Sequence, residues 1–223
     1  MKSPTLVFDL DGTLAETAGD LVAALNKVLA DEGVPPVPFA KARAMVGQGA
    51  RVLIKLGLAE HGRVVDDARL ETMFHDYLSR YEANIADHTH LYPGVVDALD
   101  RFEAAGWRLA VCTNKVEHPS HKLLKALGVA DRFAAICGQD TFAFSKPDPR
   151  ALTMTIEKAG GLVERAIMVG DSATDIATAK AARVPVVAVD FGYTDRPIAE
   201  YAPERVISHF DALWDAVASL EVS

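Results

Sequence analysis

A chain of 223 residues, half of them hydrophobic and 24% charged, is long enough to bury the core of one large domain with a smaller insertion, and its composition excludes a disordered chain. A formal net charge of −8 argues against broad adhesion to nucleic acid or anionic lipid, which need a surplus of Lys and Arg. No apolar run approaches the roughly 20 residues of a membrane helix, and the first apolar stretch stops at Asp9, too early for a secretory signal; a cytoplasmic protein without membrane or nucleic-acid partners is expected.

The first predicted strand, Thr5 to Phe8 in 5-TLVFDLDGTL-14, runs straight into Asp9 and Asp11. The next plausible strand lies roughly a hundred residues on, far beyond an ordinary crossover, so the gap must hold an insertion. Leu21, Val22, Leu25, Val28 and Leu29 mark one helix there; Leu70, Met73, Phe74, Tyr77, Leu78 and Tyr81 mark a longer one at three- and four-residue spacing. The insertion is therefore expected to be helical, spanning 16–89, with hinges near 14–19 and 86–94. The stretch 63–71 alternates charge sign and reads as a solvated helix face.

From about residue 90 the pattern changes. Strands predicted at 107–112, 134–137, 166–169 and 186–189 alternate with helices near 93–105, 118–127, 149–159 and 172–182, and Phe210, Leu213, Trp214 and Val217 mark a closing helix at 210–220. Such alternation builds a parallel sheet covered on both faces, hence an α/β chain whose Rossmann-like core comprises 1–15 and 90–223. Cys112 and Cys137 sit in apolar segments without CxxC spacing and read as reduced core residues.

Ligands of open parallel sheets bind beyond the carboxyl ends of the strands. Asp9 and Asp11 follow the first strand, Thr113 and Asn114 the strand ending at Cys112, and Gly170 and Asp171 the strand ending at Val169; Lys146 sits just before a helix opened by Pro147 and Pro149. Asp171 and Asp175, four apart across a strand-to-helix turn, are expected on the same side of the helix start. A capping role explains Asp171 alone but not the set. Two unit charges ~4 Å apart repel by ~4 kcal/mol at an effective dielectric of ~20, so gathering Asp9, Asp11, Asp171 and Asp175 requires a positive partner. A hard divalent cation with oxygen ligands, Mg²⁺ where a phosphate completes the shell, is the economical one, with Lys146 as a further fixed charge.

Together, 9-DLDGT-13, 113-TN-114, Lys146 in 145-SKPDP-149 and 170-GDSATD-175 resemble the four motifs of the haloacid dehalogenase superfamily of phosphohydrolases, and the helical insertion resembles that family's small α-helical cap. The resemblance implies that Asp9 attacks phosphorus and that Asp11 serves as acid and base. It also implies that Mg²⁺ is held by the Asp9 carboxylate, the Asp11 main-chain carbonyl and Asp171, with Asp175 ligating directly or fixing a water. Thr113, Asn114 and Lys146 would hold the phosphoryl oxygens.

An aspartate at position 11 is what the superfamily's dehalogenases lack, and neither Lys41 nor Lys55 stands out as the Schiff-base lysine of its phosphonate-cleaving branch. Within the phosphatases, 45-MVGQGARVL-53, 170-GDSATDI-176 and 191-FGYT-194 resemble phosphoglycolate phosphatases. Gly47 would then let cap backbone approach a small substrate and Arg51 would pair with its carboxylate, although a helix start with a solvated arginine explains the same letters. Glu16 departs from the family's usual aspartate and is expected to alter the hinge or cap contact.

The expected activity is Mg²⁺-dependent hydrolysis of a small phosphorylated metabolite, 2-phosphoglycolate first, by a monomer or homodimer. A sugar-phosphate mutase is the same-site alternative; a phospho-accepting signalling module is the alternative from another class, and it leaves the insertion unexplained. The pairs His118/His121 and His88/His90 lack the further ligands of a zinc site, and His75 reads as a packing residue.

Overall fold

In the computed structural model, which describes residues 3–194 and 196–220, the chain enters as β1 (Thr5–Phe8), with all four residues buried. A turn then leads to β2 (Ala15–Glu16); at its tip Gly12 adopts φ +84, a conformation that a Cβ would strain. Helices α1 (Ala18–Asp31), α2 (Phe39–Arg43), α3 (Ala50–Ala59) and α4 (Asp67–Ala83) follow, and β3 (His90–Leu91) closes the segment.

The stripes predicted for α1 and α4 are buried against each other and against α3, Leu78 being only partly covered. Asp66 caps α4, accepting from the Arg69 N–H at 2.7 Å and so satisfying one amide of the first turn. The short helix α2 shows too few residues to reveal a period. The segments expected as hinges contain an antiparallel ribbon instead of bare loops, with Ala15 opposite Leu91 and Glu16 opposite His90. Asp20, buried in the first turn of α1, fastens the return crossing by accepting from the His88 N–H at 3.1 Å and the Thr89 hydroxyl at 2.7 Å.

The remaining chain runs α5 (Val95–Ala104), β4 (Arg108–Cys112), α6 (Glu117–Ala126), β5 (Ala135–Cys137), α7 (Pro149–Lys158), β6 (Ala166–Gly170), α8 (Ala173–Ala182), β7 (Val186–Val189), β8 (Arg205–Ile207) and α9 (Leu213–Ala218). Six strands form one all-parallel sheet in the order β5-β4-β1-β6-β7-β8. Alternating residues divide its core: Leu6, Phe8, Val111, Val169 and Val189 face one cluster, which takes in α5 and α9, while Val7, Ala110, Met168 and Ala188 face another, filled by Leu152 and Ile156 of α7 and Ile176 of α8. Burial of both faces is why these strands read as continuous apolar runs.

The four predicted strands after residue 90 are all present. The edge strand β8 was not anticipated because Arg205 and Val206 are exposed, leaving no apolar run to see. At the tail, Phe210–Ala212 forms a 3₁₀ turn before α9, so the last helix is shorter than expected. Cys112 and Cys137 stand side by side on β4 and β5 as buried free thiols, and burial pushes Cys112 up to about 12. Among the described residues, no helix is long and apolar enough to cross a membrane.

Candidate active site

Strand order reverses around β1, since β4 and then β5 lie to one side of it and β6, β7 and β8 to the other. That reversal opens a crevice at the carboxyl ends of β1, β4 and β6, where Asp9, Thr113 with Asn114, and Asp171 emerge. Carboxylate oxygens of Asp9, Asp171 and Asp175 lie within 4.8 Å of one another, all three residues buried. Lys146, equally buried, places Nζ 2.9 Å from Asp9 Oδ1 and donates to Asp175 Oδ1 at 2.6 Å.

The supports of these carboxylates differ. Asp175 is the third residue of α8 and completes a reciprocal cap with Ser172, accepting from its N–H at 3.0 Å and its hydroxyl at 2.6 Å. Asp171 accepts from the Thr13 hydroxyl at 2.9 Å and the Tyr193 N–H at 2.7 Å. The loop carrying Tyr193 comes this close because residue 192 is glycine; a Cβ there would lie 2.2 Å from the Asp171 Cβ. Asp9 Oδ1 has no hydrogen bond, for the Lys146 ammonium is near but off the hydrogen-bonding direction. Asn114 ties the loops together, its Nδ2 donating to the Lys146 carbonyl at 3.1 Å.

The expectation of four gathered carboxylates needs correction. Asp11 is not in the trio, because Lys115, immediately after the Thr-Asn pair, donates to both Asp11 oxygens at 3.0 Å and neutralises it locally. Arg51 is a second correction. Its guanidinium is committed to Glu71, with bonds of 2.6 and 2.8 Å, and lies 3.5 Å over the Phe74 ring, so it is not among the residues that line the cavity above Asp9.

That cavity, about 40 Å³, is walled by Leu21, Val46, Gly47, Leu53, Tyr77 and Tyr81 on the helical side and by Asp9, Asp11, Thr113, Asn114 and Lys115 below. Gly47 is thus among the lining residues, and Lys115, Tyr77 and Tyr81 join it there. Position directly after Thr-Asn could have flagged Lys115. Nothing in the pattern of α4 distinguishes Tyr77 and Tyr81 from core aromatics, yet their buried hydroxyls have no hydrogen-bond partner, a state that costs ~1–3 kcal/mol for each such group.

Glu16 joins the helical segment to the sheet. Its carboxylate accepts from Arg43 of α2 at 2.9 Å, the Tyr193 hydroxyl at 2.6 Å and the Tyr92 hydroxyl at 3.1 Å, while Arg43 also donates to the Gly192 carbonyl at 3.1 Å. Partial burial raises the Glu16 pKa, but the bonds from Tyr193 and Arg43 outweigh it and hold the group below its ordinary value. The histidines flagged in the sequence are exposed, and the only metal-capable cluster among the described residues is the aspartate trio.

A family model described as haloacid dehalogenase-like hydrolase matches residues 6–189. The chain belongs to this family. A phosphoglycolate phosphatase of Mesorhizobium japonicum is 55% identical over 213 residues, covering 96% of this chain and 94% of that protein. Another, from Agrobacterium fabrum, is 47% identical, covering 99% and 95%. Among solved structures, a predicted phosphoglycolate phosphatase from Haemophilus somnus superimposes with a TM-score of 0.89 at 27% identity, over 97% and 99% of the two chains. CbbY from Rhodobacter sphaeroides, solved in complex with phosphate, gives 0.81 at 26%, over 95% and 96%.

Family membership gives the charge balance of the crevice a chemical meaning. Three carboxylates against the single Lys146 ammonium leave an excess of two negative charges, the charge of one divalent cation, while Asp11 and Lys115 balance each other. Hard oxygen donors at this spacing fit such an ion. Burial, only partly offset by Lys146 and reinforced by Asp175, pushes Asp9 up to about 6, and burial with Asp175 and Asp9 raises Asp171 well above the carboxylate range.

A pH dependence follows for the metal-free protein. Between pH ~4 and ~6 the unfolded chain ionises Asp9 while the folded chain keeps it protonated, so folding stability falls as pH rises, by about 3 kcal/mol from Asp9 alone. In chelator, the melting temperature of the wild type should fall relative to that of Asp9→Asn across that window, and a difference that stays flat or moves the other way would contradict the crowding of these carboxylates.

Proposed function

We propose that the chain is a Mg²⁺-dependent phosphomonoester hydrolase whose preferred substrate is 2-phosphoglycolate, acting through an aspartyl-phosphate on Asp9. The observation that carries this reading is the Asp9 carboxylate itself, set at the end of the central strand with one oxygen free of hydrogen bonds and a buried ammonium 2.9 Å away. An Asp9 oxygen forms the new bond to phosphorus as the bond to the alcohol oxygen breaks. In its protonated form Asp11 gives that oxygen its proton, and it then takes one from the water that releases phosphate and restores Asp9. Lys146, Thr113 and Asn114 hold the phosphoryl oxygens; the Thr113 hydroxyl accepts from the Lys115 N–H at 3.2 Å and retains its own hydrogen to donate.

Asp9, Asp171 and the Asp11 carbonyl would hold Mg²⁺, which when bound neutralises charge on the transferring group. Asp175 already accepts three hydrogen bonds and has the least capacity left, so its part is to fix a ligated water. Residues 16–89 act as a cap on a core of 1–15 and 90–223, moving about the β2–β3 ribbon and latched by the bonds of Glu16 to Tyr193 and of Arg43 to the Gly192 carbonyl. A cavity between cap and Asp9 is what a hydrolase needs and a phospho-accepting signal module does not.

The test is inorganic phosphate release across a panel of small phosphomonoesters, with and without Mg²⁺ and without any bisphosphate activator. Sustained turnover that needs Mg²⁺ and favours 2-phosphoglycolate by about 10-fold or more is the expected result. Turnover of sugar phosphates only when a bisphosphate is supplied would indicate a mutase, and a single stoichiometric phosphorylation would indicate a signalling module.

A further inference from the structure

The residues lining the cavity above Asp9 include two tyrosines that phosphoryl transfer leaves unused, with Lys115 beside them. Tyr77 and Tyr81 stand one helical turn apart on α4, their rings stacked with centroids 6.3 Å apart, and both hydroxyls are buried without a hydrogen-bond partner. Burial raises both phenols well above their ordinary pKa, so each is a neutral O–H donor. Lys115 is the only cation among the lining residues. The Lys115 ammonium bonds both Asp11 oxygens and lies 4.4 Å over the Tyr81 ring, which sets its positive charge beside the tyrosines.

Two phenol donors without acceptors, on the helical side of the cavity with Leu21, Val46 and Leu53 and beside its one lining cation, are complementary to an anion. The phosphoryl group has its own donors at Lys146, Thr113 and Asn114. Resting on the phosphatase reading, we propose that Lys115, Tyr77 and Tyr81 form a second anion subsite that receives a carboxylate on the alcohol portion of the substrate. Arg51, the residue sequence suggests for that part, is occupied by Glu71. The apolar residues Leu21, Val46 and Leu53 on the helical side offer no partner to further polar groups, which favours short phosphorylated hydroxy acids.

The proposal is tested by kcat/KM for 2-phosphoglycolate and for ethyl phosphate, which has the same length and no carboxylate, in the Mg²⁺-loaded wild type and in Tyr77→Phe, Tyr81→Phe and Lys115→Met. The wild type should favour the carboxylate by about 100-fold or more. Each Phe variant should lower that ratio by about 10-fold, chiefly through KM, and Lys115→Met should abolish most of it. Both Phe variants should melt no lower than the wild type, because each loses only an unpartnered hydroxyl, so lost selectivity is not lost folding.

Equal losses on both substrates, leaving the ratio unchanged in every variant, would overturn the subsite. A wild type that hydrolyses both esters equally overturns the subsite and leaves the phosphatase reading standing; one that hydrolyses neither ends both.

Discussion

Asp9→Asn is expected to lower kcat for phosphomonoester hydrolysis by at least about 1,000-fold and, at neutral pH without metal, to raise the melting temperature. The two effects share one cause. The Asp9 carboxylate is buried beside Asp175 and Asp171, and its charge is disfavoured strongly enough to push its pKa to about 6. An amide of nearly the same volume removes that charge while Lys146 keeps its 2.6 Å bond to Asp175. The gain should be about 1–3 kcal/mol, read from thermal unfolding in chelator at pH 7. It should shrink toward pH 4, where the wild-type carboxylate is protonated too. A variant that kept a tenth of wild-type kcat would dismiss Asp9 as nucleophile; one that melted lower at pH 7 would show that the trio is not under electrostatic strain. Placing a nucleophile where its charge destabilises the fold is the trade-off expected of a working site.

The physics that makes these residues functional also decides how much of them sequence could reveal. β1, β4, β6 and β7 were legible because strands buried on both faces must be apolar throughout, and Asp9, Thr113, Asn114 and Asp171 were legible because a charge or hydroxyl at the end of such a run contradicts its composition. β8 carries no such signature, being an exposed edge of three residues. The β2–β3 ribbon has only two residues per strand, too few for an alternation.

Pairing was the larger gap. Sequence gives the number of charges but not their partners: Asp11 leaves the trio because Lys115 reaches it from a residue 104 positions away, and Arg51 leaves the cavity because Glu71 lies one helix over. Tyr77 and Tyr81 show the same limit in another form. Their rings obey the helical period and their hydroxyls, which carry the further inference, leave no mark on it. Glu16 stands out in sequence only for its extra methylene, whereas the network it builds with Arg43, Tyr92 and Tyr193 draws on residues separated by up to 177 positions.

Lys146→Ala should have the opposite stability sign to Asp9→Asn with a comparable loss of function. Its ammonium is the one fixed positive charge against the trio, and although burial alone would lower its pKa, Asp175 and Asp9 more than compensate and hold it protonated. Removing it takes away a preorganised donor to the phosphoryl oxygens, a loss of about 100- to 1,000-fold in kcat. It also leaves buried carboxylates without a partner, which costs about 3–5 kcal/mol in the metal-free protein. Added Mg²⁺ should restore more stability to Lys146→Ala than to the wild type, since the variant has more uncompensated charge for the ion to neutralise. The decisive comparison is the double variant Asp9→Asn/Lys146→Ala. If these side chains share one electrostatic account, Asp9→Asn stabilises the metal-free Lys146→Ala protein by more than it stabilises the wild type, because there it deletes a charge that the loss of the ammonium has stranded. Equal gains in the two backgrounds, measured by chemical unfolding at pH 7, would instead mean that Lys146 supports the fold through packing, and its role in phosphoryl transfer would have to be argued from kinetics alone.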